Sequence, residues 1–197
     1  MKRLFDVVAS SCGLIALSPL FIGVSIWIKL DSDGEVFFRQ ERVGKNGKIF
    51  KIHKFRTMAT NAYANGGGLT VADDNRITRA GHLLRKFKID ELPQLIDVLE
   101  GNMSIVGPRP EISEFMDLYS DKDKQKILSV KPGITDKASI ELINENEILA
   151  QYENPRQAYI DIIMPLKAKY YIDYVNNQSL KGDIEIILKT LAKIISK

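Results

Sequence analysis

From Leu4 to about Ile28 the chain is mostly apolar, interrupted by Asp6 near the start of the run and by Ser18-Pro19 near its middle. Rising about 1.5 Å per residue, a helix of this length can cross a hydrocarbon core of about 30 Å. Ser18-Pro19 points to a different path. Proline removes a helix hydrogen bond and crowds the preceding turn, and the serine can bond back to a carbonyl, so the pair predicts a kink at which the helix returns to the side it entered. A kinked spanning anchor and an uncleaved signal sequence fit the same run. A lipoprotein signal ending at Cys12 fits poorly, because too few apolar residues precede Cys12 and no small-residue cleavage site follows the later apolar stretch.

Past this run the pattern turns periodic. Glu35 to Arg42 and Lys48 to Arg56 read as strands, with Asn46-Gly47 between them as a tight-turn signal, so a hairpin is predicted. Asn61 to Asp74 holds Gly66-Gly67-Gly68 among polar residues, which marks a flexible loop, either a mobile cover or a plain connection. It is not a phosphate loop, since no lysine and hydroxyl residue follow at the needed spacing. Leu92, Leu95, Ile96 and Leu99 recur as one helical face, with Pro93 tolerated only in the first turn and Gly101 as the stop. Met103 to Val106 reads as a short strand entering Gly107-Pro108-Arg109-Pro110, followed by a helix from about Glu111, another opened by Ser120, and a Pro132-Gly133 turn.

At the end of the chain Ile184, Ile187, Leu188, Leu191 and Ile195 share one face, with Lys189, Lys193 and Lys197 elsewhere. This amphipathic helix either packs on the core or lies in the headgroup plane, with Tyr170, Tyr171 and Tyr174 in the same interfacial belt. The predicted fold is therefore α+β. Residues 1–30 form a kinked re-entrant membrane helix, and residues 31–197 form one cytoplasmic domain resting on the membrane, with a small hairpin or sheet and several helices, amphipathic interfacial ones among them.

Charge sharpens this picture. Lys2 and Arg3 precede the apolar run while Lys29, Arg39, Arg42, Lys45 and Lys48 follow it, so both flanks read as cytoplasmic. The formal net charge of +3 is too slight to argue for a nucleic-acid partner. With a single cysteine, Cys12, the chain has no intrachain disulfide and no zinc cluster, which fits a reducing compartment. A length of 197 residues suits one core.

Candidate chemistry concentrates at Lys88-Ile89-Asp90-Glu91-Leu92-Pro93-Gln94-Leu95. Carboxylates at a helix start face unpaired amides and a partial positive charge, which favours the ionised state required of a nucleophile or a magnesium ligand. The same two residues also suit simple helix capping. Arg39, Arg42, Lys45, Lys48, Lys51, His53, Lys54 and Arg56 fall on or beside the hairpin, where they hold anionic headgroups, a nucleotide diphosphate or a lipid phosphate, or form a solvated positive flank. Prolines on both sides of Arg109 fix its backbone, so its guanidinium either grips a phosphate or braces Asp90 and Glu91.

The ordered series Lys54-Phe55-Arg56-Thr57-Met58, Asp74-Asn75-Arg76-Ile77-Thr78-Arg79-Ala80-Gly81-His82-Leu83-Leu84-Arg85, Ile89-Asp90-Glu91-Leu92-Pro93-Gln94-Leu95, Gly101-Asn102-Met103-Ser104-Ile105-Val106-Gly107-Pro108-Arg109-Pro110-Glu111 and Lys131-Pro132-Gly133-Ile134-Thr135 resembles the bacterial sugar transferase family. Its members are monotopic phosphoglycosyl transferases that start surface-glycan assembly on the bacterial cytoplasmic membrane. The resemblance implies a UDP-sugar donor, undecaprenyl phosphate in the inner leaflet as acceptor, and magnesium as cofactor. It implies that Asp90 attacks the β-phosphate, releasing UMP and leaving a covalent phosphosugar that the lipid phosphate then removes.

In this reading Asp90 also holds the metal, Glu91 assists with metal or proton, and Arg85, Arg109, Lys54 and Arg56 bind phosphate. Ser18 and Pro19 form the re-entrant bend. Direct transfer without an intermediate, a non-catalytic membrane scaffold and a conventional glycosyltransferase releasing UDP stay as alternatives, and a homodimer is left open. Many members carry glycine and then a Gly-Arg pair after Pro-Gly-Ile-Thr, where this chain reads Thr135-Asp136-Lys137-Ala138-Ser139-Ile140-Glu141. The identity of the sugar is therefore left open. The chain also lacks the extra membrane helices of the long members, which suggests a minimal catalytic unit.

Overall fold

The computed structural model describes residues 1–60 and 74–196. The Gly66-Gly67-Gly68 loop and Lys197 lie outside the described residues. Helix α1, Lys2–Asp31, carries the apolar run as one long helix with Pro19 inside it, and the Ser18 hydroxyl donates to the Ile15 carbonyl at 2.8 Å. Strands β1, Phe37–Val43, and β2, Ile49–Phe55, pair antiparallel with Val43 opposite Ile49. Their connection is longer than a two-residue turn. It runs through a short 3-10 turn, Lys45–Gly47, in which Asn46 and Gly47 supply the positive φ values of 57° and 78° that such residue types tolerate.

Helix α2, Arg79–Lys86, is capped by the Thr78 hydroxyl, which accepts from the Gly81 amide. After it come a 3-10 turn at Ile89–Glu91, helix α3 at Gln94–Leu99 and strand β3 at Ser104–Val106. Helices α4, Ser113–Met116, and α5, Asp121–Ile127, lead to strand β4, Gly133–Thr135, which pairs parallel to β3. Short helices α6, Lys137–Glu141, α7, Glu145–Leu149, and α8, Pro155–Ala158, follow. Helices α9, Met164–Asn176, and α10, Leu180–Ile195, complete the described chain.

Among the described residues the sheet content is thus two small two-stranded ladders in a helix-rich protein. The largest core cluster unites Val43 with Phe115, Met116, Ile127, Leu149 and Tyr171, drawn from β1 and helices α4 to α9. A second joins Val24 and Ile28 of α1 to Phe55 and Leu84. Burying two such aliphatic side chains contributes about 1.5–3 kcal/mol each. The carboxyl end of α1 is therefore part of the domain.

Its amino end is held too. Asp6, buried, accepts from the Ser104 hydroxyl at 2.9 Å and the Ile105 amide at 3.2 Å. Lys2 donates to Asp183 at 2.7 Å, and Arg3 donates to the Val98 carbonyl at 2.6 Å, where a cation complements the exposed carbonyls at the end of α3. Between these anchors Ile15, Ile22 and Ile26 are exposed.

Two expectations change. The carboxylate pair does not open a regular helix, because α3 starts only at Gln94 and the pair belongs to the separate 3-10 turn. Lys88 in the left-handed region, φ 55°, swings the chain out of α2 and creates that turn. Of the two roles left open for the C-terminal helix neither is complete: Ile187 and Ile194 are half-buried, only Asp183 of α10 is buried, and Ile184, Leu188, Leu191 and Ile195 are exposed. Tyr171 and Tyr174, conversely, are buried and belong to no surface belt. The Tyr174 hydroxyl lies 2.9 Å from both the Val106 carbonyl and Asp183, on polar partners inside the domain.

The β3–β4 pairing depends on close backbone approach. A Cβ on Gly133 would lie 2.1 Å from the Gly107 amide nitrogen, an overlap with backbone that no rotamer relieves. Gly133→Ala is expected to destabilise the protein by about 1–3 kcal/mol or more, read as a lower unfolding midpoint of the detergent-held protein. Gly44→Ala, whose Cβ would meet the Lys48 carbonyl at a looser 3.0 Å, is expected to cost less.

Candidate active site

Three chain segments converge on Asp90 and Glu91. The last turn of β2 brings Lys54, whose Nζ lies 3.2 Å from Asp90 Oδ2 and 3.3 Å from Glu91 Oε1. The rigid turn after β3 brings Arg109, which forks onto Glu91 with Nη1 to Oε2 at 3.0 Å and Nη2 to Oε1 at 2.5 Å. Arg42, from β1, donates to the Pro110 carbonyl at 3.0 Å and steadies that turn. Lys88 lines the same cavity beside the pair. Adjacent residues point about 100° apart on an α-helix and about 120° apart on a 3-10 turn, yet the Lys54 ammonium lies within reach of both carboxylates.

The two carboxylates differ in what they are free to do. Burial pushes the Glu91 carboxyl upward, but the charges of Arg109 and Lys54 outweigh it and hold the group well below the usual carboxylate range. Glu91 in turn raises the Arg109 guanidinium well above its ordinary value against the effect of burial. Both oxygens of Glu91 are engaged, so it is a poor proton acceptor and a good brace. Asp90 offers one oxygen to Lys54, while Oδ1 is buried with no hydrogen-bond partner among the described residues. A buried carboxylate oxygen without a partner calls for a ligand.

Because the folded Glu91 pKa is depressed, its contribution to stability is present in full above the ordinary value of about 4.3 and is lost as pH falls through the lowered folded value. The stability gap between the wild type and Glu91→Gln is therefore expected to hold steady from neutral pH down to about 5 and to shrink only in stronger acid. Denaturant unfolding at a series of pH values measures it; a gap that closes between pH 7 and 5 would contradict the depressed pKa.

The other predicted site residues divide. Arg85 lines the cavity from α2 and donates from Nε to the Thr57 hydroxyl at 2.9 Å. Arg56 is turned toward α1: its guanidinium donates to the Glu35 carbonyl at 2.6 Å, the Ser32 hydroxyl at 2.5 Å and the Ser32 carbonyl at 2.8 Å. It closes the carboxyl end of α1 rather than reaching the carboxylate pair, a job its position beside Lys54 in the sequence does not reveal. Ser18 and Pro19 are both exposed, far along the chain from the site.

Sequence reading also missed a buried polar group on the cavity wall. The Lys167 ammonium lies 2.9 Å from Glu145 and 3.1 Å from the Tyr159 hydroxyl, which donates to Glu111 at 2.8 Å. Glu111 follows the arginine turn directly and gave a signal there; Lys167, one of several lysines near α9, gave none.

For a metal, the donor set is the test. Asp90 Oδ1, a hard oxygen without a hydrogen-bond partner among the described residues, on a cavity lined by cationic side chains, fits a magnesium ion carried in by phosphates. The alternative cluster of His53, Asp97 and Glu100 fits less well, since Asp97 already binds the His53 ring at 2.8 Å and Arg39 meets its other nitrogen at 2.6 Å.

The cavity holding these groups measures about 940 Å³ and reaches from the carboxylate pair to α6, α7 and α10. Paired carboxylates and converging cations in one cavity suit an enzyme that handles phosphate groups. The family model for bacterial sugar transferases matches residues 1–197, and the chain belongs to that family. It is 35% identical over 198 residues to the UDP-N-acetylgalactosamine-undecaprenyl-phosphate N-acetylgalactosaminephosphotransferase of Aeromonas hydrophila, covering 100% of this chain and 44% of that one. It is 34% identical to the UDP-glucose:undecaprenyl-phosphate glucose-1-phosphate transferase of Caulobacter vibrioides, covering 99% and 70%. With the exopolysaccharide production protein ExoY of Sinorhizobium fredii the identity is 35%, over 98% and 84% of the two chains.

Proposed function

We propose that this chain is a phosphoglycosyl transferase that moves a sugar-1-phosphate from a UDP-sugar to undecaprenyl phosphate and releases UMP, as the first membrane step of surface-glycan assembly. The observation that carries the reading is the asymmetry of the pair: Glu91 is spent on Arg109 and Lys54, and Asp90, which lines the cavity, keeps a buried oxygen without a hydrogen-bond partner among the described residues. A carboxylate oxygen of Asp90 attacks the β-phosphorus, the bond to the α-phosphate oxygen breaks, and UMP leaves with the electron pair. An oxygen of the lipid phosphate then attacks the same phosphorus, and Asp90 leaves as a carboxylate. The product is undecaprenyl-diphosphate-sugar.

Lys54 faces both carboxylates and meets the phosphoryl oxygens on their arrival. Arg109, aimed by Glu91 and by the Arg42 bond to Pro110, offers its remaining N–H donors to the charge that develops there. Arg85 adds a further cation on the same wall. When bound, a magnesium ion held by Asp90 neutralises the phosphates.

The reaction joins a soluble donor to a lipid, and α1 supplies the meeting place. Its two ends are fastened to one domain, by Lys2, Arg3 and Asp6 at one and by Ile28 and Asp31 at the other, while its middle is exposed and apolar. Such tethering favours a re-entrant helix over a spanning one, with residues 31–197 on the cytoplasmic face of the inner membrane. The exposed apolar face of α10 suits the same surface.

Nucleotide analysis tests the reading. With magnesium, undecaprenyl phosphate and a panel of UDP-sugars, the nanodisc-held protein is expected to release UMP with one donor; UDP as the product would replace this reading with glycosyl transfer.

A further inference from the structure

The cavity that holds the carboxylate pair is lined by apolar as well as charged side chains. Leu95 of α3, Ile105 of β3, Ile134 of β4, Ile140 of α6 and Ile187 and Ile194 of α10 all line it; α3 packs on β3, and α10 packs on β3, β4 and α6, so these side chains belong to neighbouring elements. The register Ser104 to Gly133 and Val106 to Thr135 sets Ile105 and Ile134 side by side on one face of the ladder. Helix α10 is pinned against this ladder by a 2.7 Å hydrogen bond between the Thr190 and Thr135 hydroxyls. Ile187 and Ile194 lie three before and four after Thr190, hence on the same helix face.

All six apolar side chains are only half-buried. A contiguous hydrocarbon strip left open inside a cavity forgoes stabilisation that a closed core would have, and such a surface marks an occupant. A UDP-sugar, polar along its whole length, gains nothing from it. A ligand with one phosphate and one hydrocarbon tail matches both kinds of lining at once: its head at Lys54, Arg109 and Asp90, its tail along the strip. The far end of the strip lies on α10, whose outer edge, Ile184 and Leu188, is exposed and apolar, so a tail leaving the cavity passes directly to a lipid-compatible surface.

We infer that this strip, from Leu95 through Ile105 and Ile134 to Ile187 and Ile194, seats the first isoprene units of the polyisoprenyl phosphate acceptor. The assignment rests on the transfer reading for the identity of the lipid, and its test separates the two. A polyisoprenyl phosphate bearing a diazirine in its tail, at the isoprene units assigned to the far end of the strip, incorporated in nanodiscs with the full chain, is expected to label residues on the inward face of α10, and excess undecaprenyl phosphate is expected to displace it. Labelling needs no turnover. If no donor yields UMP but the displaceable label falls on Ile187 or Ile194, the strip stands and the chemistry falls; if UMP is released but the label avoids α10, the strip is refuted.

A kinetic arm guards against loss of membrane seating. Ile187→Glu is expected to raise the KM for undecaprenyl phosphate about tenfold and to change the KM for the UDP-sugar by less than about twofold. Leu188→Glu, one residue away on the outer face, is expected to give a clearly smaller rise. Equal effects from the two variants, or equal shifts in both KM values, would overturn the assignment.

Discussion

Asp90→Asn is expected to lower UMP release by at least about a thousandfold while leaving the protein folded, because the amide has nearly the shape of the carboxylate and none of its nucleophilicity. The loss falls on the first chemical step, so it is the same whether or not lipid acceptor is present. Single-turnover UMP release, read with a thermal melt of the same sample, measures it. Glu91→Gln gives the contrast. Its role is to aim Arg109, so the variant is expected to keep residual turnover well above that of Asp90→Asn. A reversed order of severity would assign the nucleophile to Glu91.

The second large effect belongs to Arg109. Lysine at this position keeps the charge but cannot make the two parallel bonds to Glu91 seen at 3.0 and 2.5 Å. Arg109→Lys is expected to reduce kcat by about 100-fold or more through the lost stabilisation of developing phosphoryl charge. A neutral replacement, Arg109→Gln, leaves Glu91 buried without its main partner, and a stability cost of about 3–5 kcal/mol is expected. Pairing it with Glu91→Gln removes the stranded charge and is expected to restore much of the stability and none of the activity. Stability and turnover measured on the single and double variants separate the brace from the chemistry.

Much of this site is legible in the sequence. Asp90, Glu91, Lys54 and Arg109 are read from short motifs, and the structure brings all four together although Lys54 and Arg109 lie on opposite sides of the pair in sequence. Local signals served well where the cause is local: Asn46-Gly47 supplies its positive φ values, and the apolar run becomes a helix.

The misses have a common origin in tertiary context. Arg56 looks identical in type to Lys54, and only the position of Ser32 at the end of α1 makes it a clamp. Tyr171 and Tyr174 read as an interfacial belt because aromatic residues near a membrane run usually are; here core packing takes Tyr171 inside, and the polar partners Val106 and Asp183 hold Tyr174 there. The left-handed Lys88 defeats a helix-start reading of Asp90, since no composition rule places a lysine at φ 55°.

The central claim is that Asp90 carries the phosphosugar covalently. Intact-protein mass spectrometry of the nanodisc-held chain, mixed with magnesium and its UDP-sugar in the absence of lipid and quenched in acid, tests it most directly. The account predicts a mass increase equal to one sugar phosphate, located on the peptide containing Asp90, absent from Asp90→Asn and discharged by undecaprenyl phosphate. UMP release at the wild-type rate with lipid present, without any such adduct and without a burst in its absence, would contradict it in favour of direct transfer.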